Sequence, residues 1–216
     1  MDKKTVVIVG AGPGVGIHLA TEFGAKGFRT VLMARRREHL DSYVAELANI
    51  GIEAHGFEAD AAKSESLTSA FNNVEREFGR TDVLVYNACV LEGGKPSALS
   101  AKKLLGHYQV DVANALHCVH MVLPGMRKMG NGAILFTGGG FALNPMSEFA
   151  SISMHKAALR ALAIMLHAEL KDENIFAGIV TITGQIMKNT EFDPAVIAKE
   201  YWKLYTERNR AEVIYK

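Results

Sequence analysis

The sequence predicts a three-layer α/β fold, a doubly wound parallel sheet of about six to seven strands with helices on both faces. Three observations predict it. Short β-branched runs alternate with longer segments of helical periodicity along the chain, the pattern of successive βαβ units. A glycine-rich turn follows the first such run and opens directly into a helical pattern. The length of 216 residues suits one large α/β domain, which buries most of its apolar surface without cross-links.

The first strand is Thr5 to Val9, followed by a helix whose Val15, Leu19, Ala20 and Phe23 recur at helical spacing, with Gly27 at its exit. Thr30 to Ala34 is the second strand and Arg37 to Ile50 the second helix, with Leu40, Val44 and Leu47 as its stripe. Glu53 to Glu58 reads as the third strand. Ser64 to Phe78 is amphipathic and stops at Gly79, where a helix end favours a left-handed residue. Val83 to Tyr86 is the fourth strand. Ser100 can cap one long helix running to Met129, closed by Gly130, and Ala133 to Thr137 is the fifth strand. Glu148 to Asp172 is helical and Phe176 to Thr183 the sixth strand. Pro194 suits the first turn of a last helix, so residues 1–216 read as one domain with a short C-terminal helical extension, 194–210.

Composition narrows the function classes. A hydrophobic fraction of 49%, a charged fraction of 22% and a net charge of +1 fit a globular protein with a small-molecule ligand, not a nucleic-acid or membrane partner. Val6 to Val9 is too short for a signal-peptide core, and no stretch approaches transmembrane length. Cys89 and Cys118, in apolar surroundings, read as buried thiols in a reducing, cytoplasmic compartment. His117 and His120 lack further ligands of a plausible set, so no metal is expected.

The stretch after the first strand is GAGPGVG, Gly10 to Gly16. Gly10, Gly14 and Gly16 form a G-x-x-x-G-x-G loop, with Gly12 and Val15 inside it. Glycines there permit a tight strand-to-helix turn and let the backbone approach a pyrophosphate, which the free N–H groups of a helix N-terminus favour. After the second strand, where an NAD enzyme places an acid for the ribose hydroxyls, stand Ala34, Arg35, Arg36 and Arg37. Arginines at a helix start oppose its dipole unless an anion is bound, and the 2′-phosphate of NADP is such an anion. Arg35 is the first candidate for it and Arg36 the second, so NADP(H) is expected in preference to NAD(H).

On these residues the chain resembles the short-chain dehydrogenase/reductase family over nearly its whole length, and the resemblance implies a Rossmann fold that binds NAD(P). VGAGPGVG is similar to the family's T-G-x-x-x-G-x-G, with Val9 in place of threonine. Asp60 matches the acid that contacts the adenine, and YNAC retains Asn87 and Ala88 of the family's N-N-A-G. Lys156 matches the lysine of Y-x-x-x-K, and Thr183–Gly184 stands at the family's Pro-Gly pair. The resemblance also implies a homodimer or homotetramer.

At the catalytic positions the pattern breaks. Ile152 stands where the family has its tyrosine, Gly139 where it has its serine, and Asp111 where it has its asparagine. Only Lys156 remains, with the ribose hydroxyls as its implied partners. Ser153, Thr137, Asp111 and His155 are the nearby residues able to carry a proton. Two readings stay open: a divergent NADP(H)-dependent oxidoreductase acting on a small carbonyl or alcohol compound, and a non-catalytic NADP(H)-binding sensor or regulatory module.

Overall fold

The computed structural model describes residues 3–216. Its elements are β1 (Thr5–Val9), α1 (Val15–Ala25), β2 (Arg29–Ala34), α2 (Arg37–Asn49), β3 (Ala54–Glu58), α3 (Ser64–Phe78), β4 (Val83–Tyr86), α4 (Ala101–Tyr108), α5 (Asn114–Met129), β5 (Gly132–Gly139), α6 (Ala150–Leu170), β6 (Ile175–Ile182), α7 (Pro194–Glu207) and β7 (Glu212–Tyr215). The strands form one seven-stranded sheet in the order β3-β2-β1-β4-β5-β6-β7. Every pairing is parallel. All strands therefore end at one edge, and the order reverses between β1 and β4, the place where such sheets open a ligand crevice.

The pleat sends alternate side chains to opposite faces, so each central strand feeds two cores. In β1, Val7 and Val9 join one cluster while Val6 and Ile8 join the other; in β5, Ile134 and Phe136 divide from Ala133 and Leu135 in the same way. The first cluster is covered by α3, α5 and α6, and the second by α1, α2 and α7.

Several expected boundaries change. The long helix expected from Ser100 to Met129 starts as read, with the Ser100 hydroxyl accepting from the Lys103 N–H, but Gln109–Ala113 is a π-helical turn between α4 and α5. The extra residue in that turn rotates Asp111 and Val112 inward, and both are buried. The segment expected as a C-terminal extension is one of the three helices on its face of the sheet. In α7, Tyr201 and Leu204 are buried, and Trp202 and Tyr205 pack edge-on or tilted against Phe23 of α1 and Phe28. Beyond it the chain returns as β7, which pairs with β6 from Ile179↔Glu212 to Ile182↔Tyr215.

The far edge of the sheet carries a pH-sensitive contact. Glu53, just before β3, accepts from Arg29 Nε and from Lys3 Nζ. The Arg29 hydrogen bond is the main reason its carboxyl is held down to about 2. A carboxyl held below its unfolded value stabilises fully above that value and loses its contribution as pH falls toward the folded one. The Tm difference between wild type and Arg29→Met is therefore expected to be largest near neutral pH and to shrink steadily on acidification. A difference constant with pH would assign the effect to packing on Phe78, over which the guanidinium lies at 4.5 Å.

Candidate functional site

The site is built where β1 gives way to α1. Gly10 has φ +87°, and a Cβ there would stand 2.5 Å from the Ala88 nitrogen, so only glycine fits between the ends of β1 and β4. A Cβ on Gly16 would meet Ala11 Cα at 2.9 Å, which fixes the close approach of α1 to its own loop. The Gly10 and Ala11 N–H groups both donate to the Met33 carbonyl, pinning the loop to β2.

Gly12 and Gly14 differ from these. A Cβ on either would meet nothing within 4 Å, so they border open space rather than protein. Gly14 caps α1 with no side-chain hydrogen bond, and no acid stands in the first helical turn. The free N–H groups and positive dipole end of α1 thus face an open cradle, the physical requirement for a pyrophosphate.

Beside the cradle lies a cleft of about 330 Å³. Its walls include Gly10, Arg35, Arg36, Asp60, Asn87 and Ala88, residues from four separate strand ends. Arg35 and Arg36 are exposed and, among the described residues, neither forms an ion pair. Arg37, third in the run, is instead taken up by Asp41 at 2.9 Å and the Gly56 carbonyl at 3.2 Å. Asp60 receives the Ala62 N–H at 3.0 Å and holds its place at the cleft wall. The floor beneath it is fixed by Asn114, which donates to the Ala61 carbonyl at 2.7 Å; nothing in its sequence surroundings singled it out.

A hydrogen-bonded chain crosses the ends of the central strands. Asn87 Nδ2 donates to the Gly10 carbonyl at 2.9 Å, Thr137 Oγ1 donates to Asn87 Oδ1 at 2.8 Å, and Tyr201 Oη donates to Thr137 Oγ1 at 2.7 Å. Lys156, 4% exposed, donates from Nζ to the Thr137 carbonyl at 2.6 Å. Burial raises the Tyr201 phenol well above its usual value. Its hydroxyl orders Thr137, Thr137 orders the Asn87 carboxamide, and Asn87 holds the glycine loop. Tyr201→Phe should cost about 1 kcal/mol and lower Tm by about 2–4 °C. A variant as stable as wild type would show that the phenol carries no part of this order.

Other residues named from the sequence are placed as follows. Gly139 lies beside Lys156, where a Cβ would sit 3.5 Å from Lys156 Cγ. Ile152 is buried one helical turn before Lys156. Ser153 donates to the Phe149 carbonyl and accepts from the Met146 N–H, which closes the loop before α6. Asp111 accepts the Val90 N–H through Oδ1 at 2.8 Å and lies 3.3 Å from His155 Nδ1 through Oδ2. His155 Nε2 is buried without a hydrogen-bond partner among the described residues. Gly184 receives the Phe192 ring against its backbone. Val15 is buried at the start of α1.

Cys118 is buried, and burial lifts its thiol far above the usual range. Cys89, also expected to be buried, is exposed: β4 ends at Tyr86, so the next residues leave the sheet and line the cleft. His117 is hydrogen-bonded to Thr68 at 2.8 Å, and no group of three metal-ligating side chains occurs among the described residues.

Known proteins resemble this chain in sequence and fold. The family model for short chain dehydrogenases matches residues 4–198. The 2,3-dihydro-2,3-dihydroxybenzoate dehydrogenase of Bacillus subtilis (strain 168) is 27% identical over 216 residues, 100% of this chain and 78% of that protein. The 7alpha-hydroxysteroid dehydrogenase of Escherichia coli (strain K12) is 27% identical over 175 residues, 81% of this chain and 68% of that one. The crystal structure of a metagenomic short-chain oxidoreductase in complex with NADP superimposes with a TM-score of 0.89 at 25% identity, covering 99% of this chain and 96% of that chain. The matched residues take in the glycine loop, the arginine run, the cleft and Lys156, and with them the chain belongs to the short-chain dehydrogenase family.

Proposed function

We propose that this protein is an NADP(H)-dependent oxidoreductase acting on a small carbonyl or alcohol compound. The observation that carries the reading is the open glycine cradle at the α1 N-terminus, continuous with a cleft whose β2 end offers Arg35 and Arg36 and no carboxylate. In this reading the N–H groups around Gly12, Gly14 and Gly16 receive the pyrophosphate, and Arg35 and Arg36 receive the 2′-phosphate. Asp60 borders the adenine, while Asn87, Ala88 and Gly184 border the nicotinamide half. When bound, the dinucleotide supplies or accepts a hydride.

Lys156 contributes an ammonium with three donors, of which one is given to Thr137, leaving two to share between the ribose hydroxyls and a substrate oxygen. Ile152, Gly139 and Asp111 hold the places of the family's tyrosine, serine and asparagine, so proton transfer falls to water. Exposed Leu105 and Tyr108 on α4 and Met154 and Met165 on α6 support pairing of two copies through these helices.

The test is calorimetric titration with NADPH and NADH, followed by a turnover search. Micromolar binding that favours NADPH is the expected result, and absence of binding by either sinks the reading. Tight binding with no turnover of any carbonyl or alcohol would instead support a non-catalytic nucleotide sensor.

A further inference from the structure

We infer that the hydride acceptor is an α,β-unsaturated carbonyl compound, reduced at its carbon–carbon double bond. The inference rests on the NADP(H) reading above and adds to it the substrate class.

The side-chain hydroxyls around Lys156 are already committed as donors. The Thr137 hydroxyl is given to Asn87, Tyr201 to Thr137, Ser153 to the Phe149 carbonyl and Thr183 to the Tyr215 carbonyl, at 2.7–2.8 Å. Ile152 and Gly139 have none to give. The His155 ring is buried, packed against Tyr108 at 5.7 Å with its Nδ1 toward Asp111. What remains at Gly139 is the Lys156 stem and its ammonium, which has no carboxylate within ion-pair distance among the described residues.

A positive group without an acid beside it selects the reaction. Hydride addition to a simple ketone makes an alkoxide, about as basic as hydroxide ion. Such an oxygen must take a proton as it forms. Addition to a conjugated acceptor makes a delocalised oxyanion, comparable to a phenolate at about 10, and about a million times less basic. That anion is stabilised by a nearby ammonium without receiving a proton. The same charge disfavours a cationic acceptor such as an iminium ion. The loop after β5 carries two aromatic rings, Phe141 and Phe149, with centroids 5.2 Å apart and planes tilted by 36°.

A C–H bond forms at the β-carbon with hydride from the reduced dinucleotide, and the C=C electron pair moves through the carbonyl to its oxygen. Water then protonates the α-carbon. The dinucleotide is oxidised by two electrons and the double bond is reduced.

Two measurements test this. The first is binding alone: para-nitrophenolate, an unreactive delocalised oxyanion, is titrated into protein loaded with NADP⁺ and followed by the shift of its visible band. Saturable binding is expected, weakened at least tenfold by Lys156→Gln and retained by Lys156→Arg, with melting curves showing that both variants fold and calorimetry showing that both are saturated with NADP⁺ at the concentration used. Lack of binding, or equal binding by Lys156→Gln, overturns the inference. The second is turnover of conjugated cyclohexenone and of cyclohexanone with NADPH. Conversion of the enone to cyclohexanone is expected, with cyclohexanone itself unconsumed. Formation of the allylic alcohol, or reduction of cyclohexanone at a comparable rate, overturns the substrate class and leaves the oxidoreductase reading standing. Protein that binds NADPH but consumes neither compound also overturns the substrate class. Failure to bind NADPH removes both.

Discussion

Arg35→Ala is expected to weaken NADPH binding by about 10- to 100-fold while changing NADH binding little, since a charge-assisted hydrogen bond contributes about 1.5–3 kcal/mol. Arg35 is exposed at the cleft wall and without an ion pair among the described residues, so its removal disturbs no internal contact. Calorimetric titration with both dinucleotides checks it. Equal loss for the two would place the guanidinium elsewhere than on the 2′-phosphate and move attention to Arg36. Arg37 offers the internal control: it is occupied by Asp41 and Gly56, and Arg37→Ala should leave the NADPH preference unaltered.

The second large effect is a gain. Ile152→Tyr combined with Gly139→Ser should raise reduction of cyclohexanone by about 100-fold or more, the usual contribution of a placed general acid. Gly139 has an extended backbone at φ −158°, and its added Cβ meets only the Lys156 stem at ordinary contact distance. A tyrosine at 152 would share a helical face with Lys156, whose ammonium would lower the phenol's pKa. The readout is kcat/KM in a double variant that melts normally and still binds NADPH. No gain in such a protein would show that the missing hydroxyls are not what limits ketone reduction.

How much of this was legible in the sequence depends on how local each signal is. β1, α3 and β4 start and stop where the residue pattern places them, because complete burial of a short apolar run, or one apolar helix face ended by Gly79, leaves little freedom. β7 was not singled out: its four residues include Glu212, whose carboxylate is held by Arg160 and Thr181, and only that partnership seats an acid in a strand. The π turn was hidden for a similar reason, since the helical stripe continues across it. The cradle was legible because Gly10 to Gly16 are consecutive. The chain from Tyr201 through Thr137 and Asn87 to Gly10 was not, since it joins residues 64, 50 and 77 positions apart. Cys89 was misjudged because its neighbours are apolar while the sheet ends three residues before it.

The packing of α7 on α1 bears on how the molecule is made. The glycine loop and α1 leave the ribosome well before α7, yet Phe23 and Phe28 are covered by Trp202 and Tyr205 of that later helix. Contacts so distant in sequence form slowly, because the intervening chain must be ordered before they close. The aromatic surface beside the glycine loop therefore stays uncovered until α7 has been synthesised. A chain stalled before residue 194 would carry every residue of the glycine loop and still present that surface to chaperones and proteases.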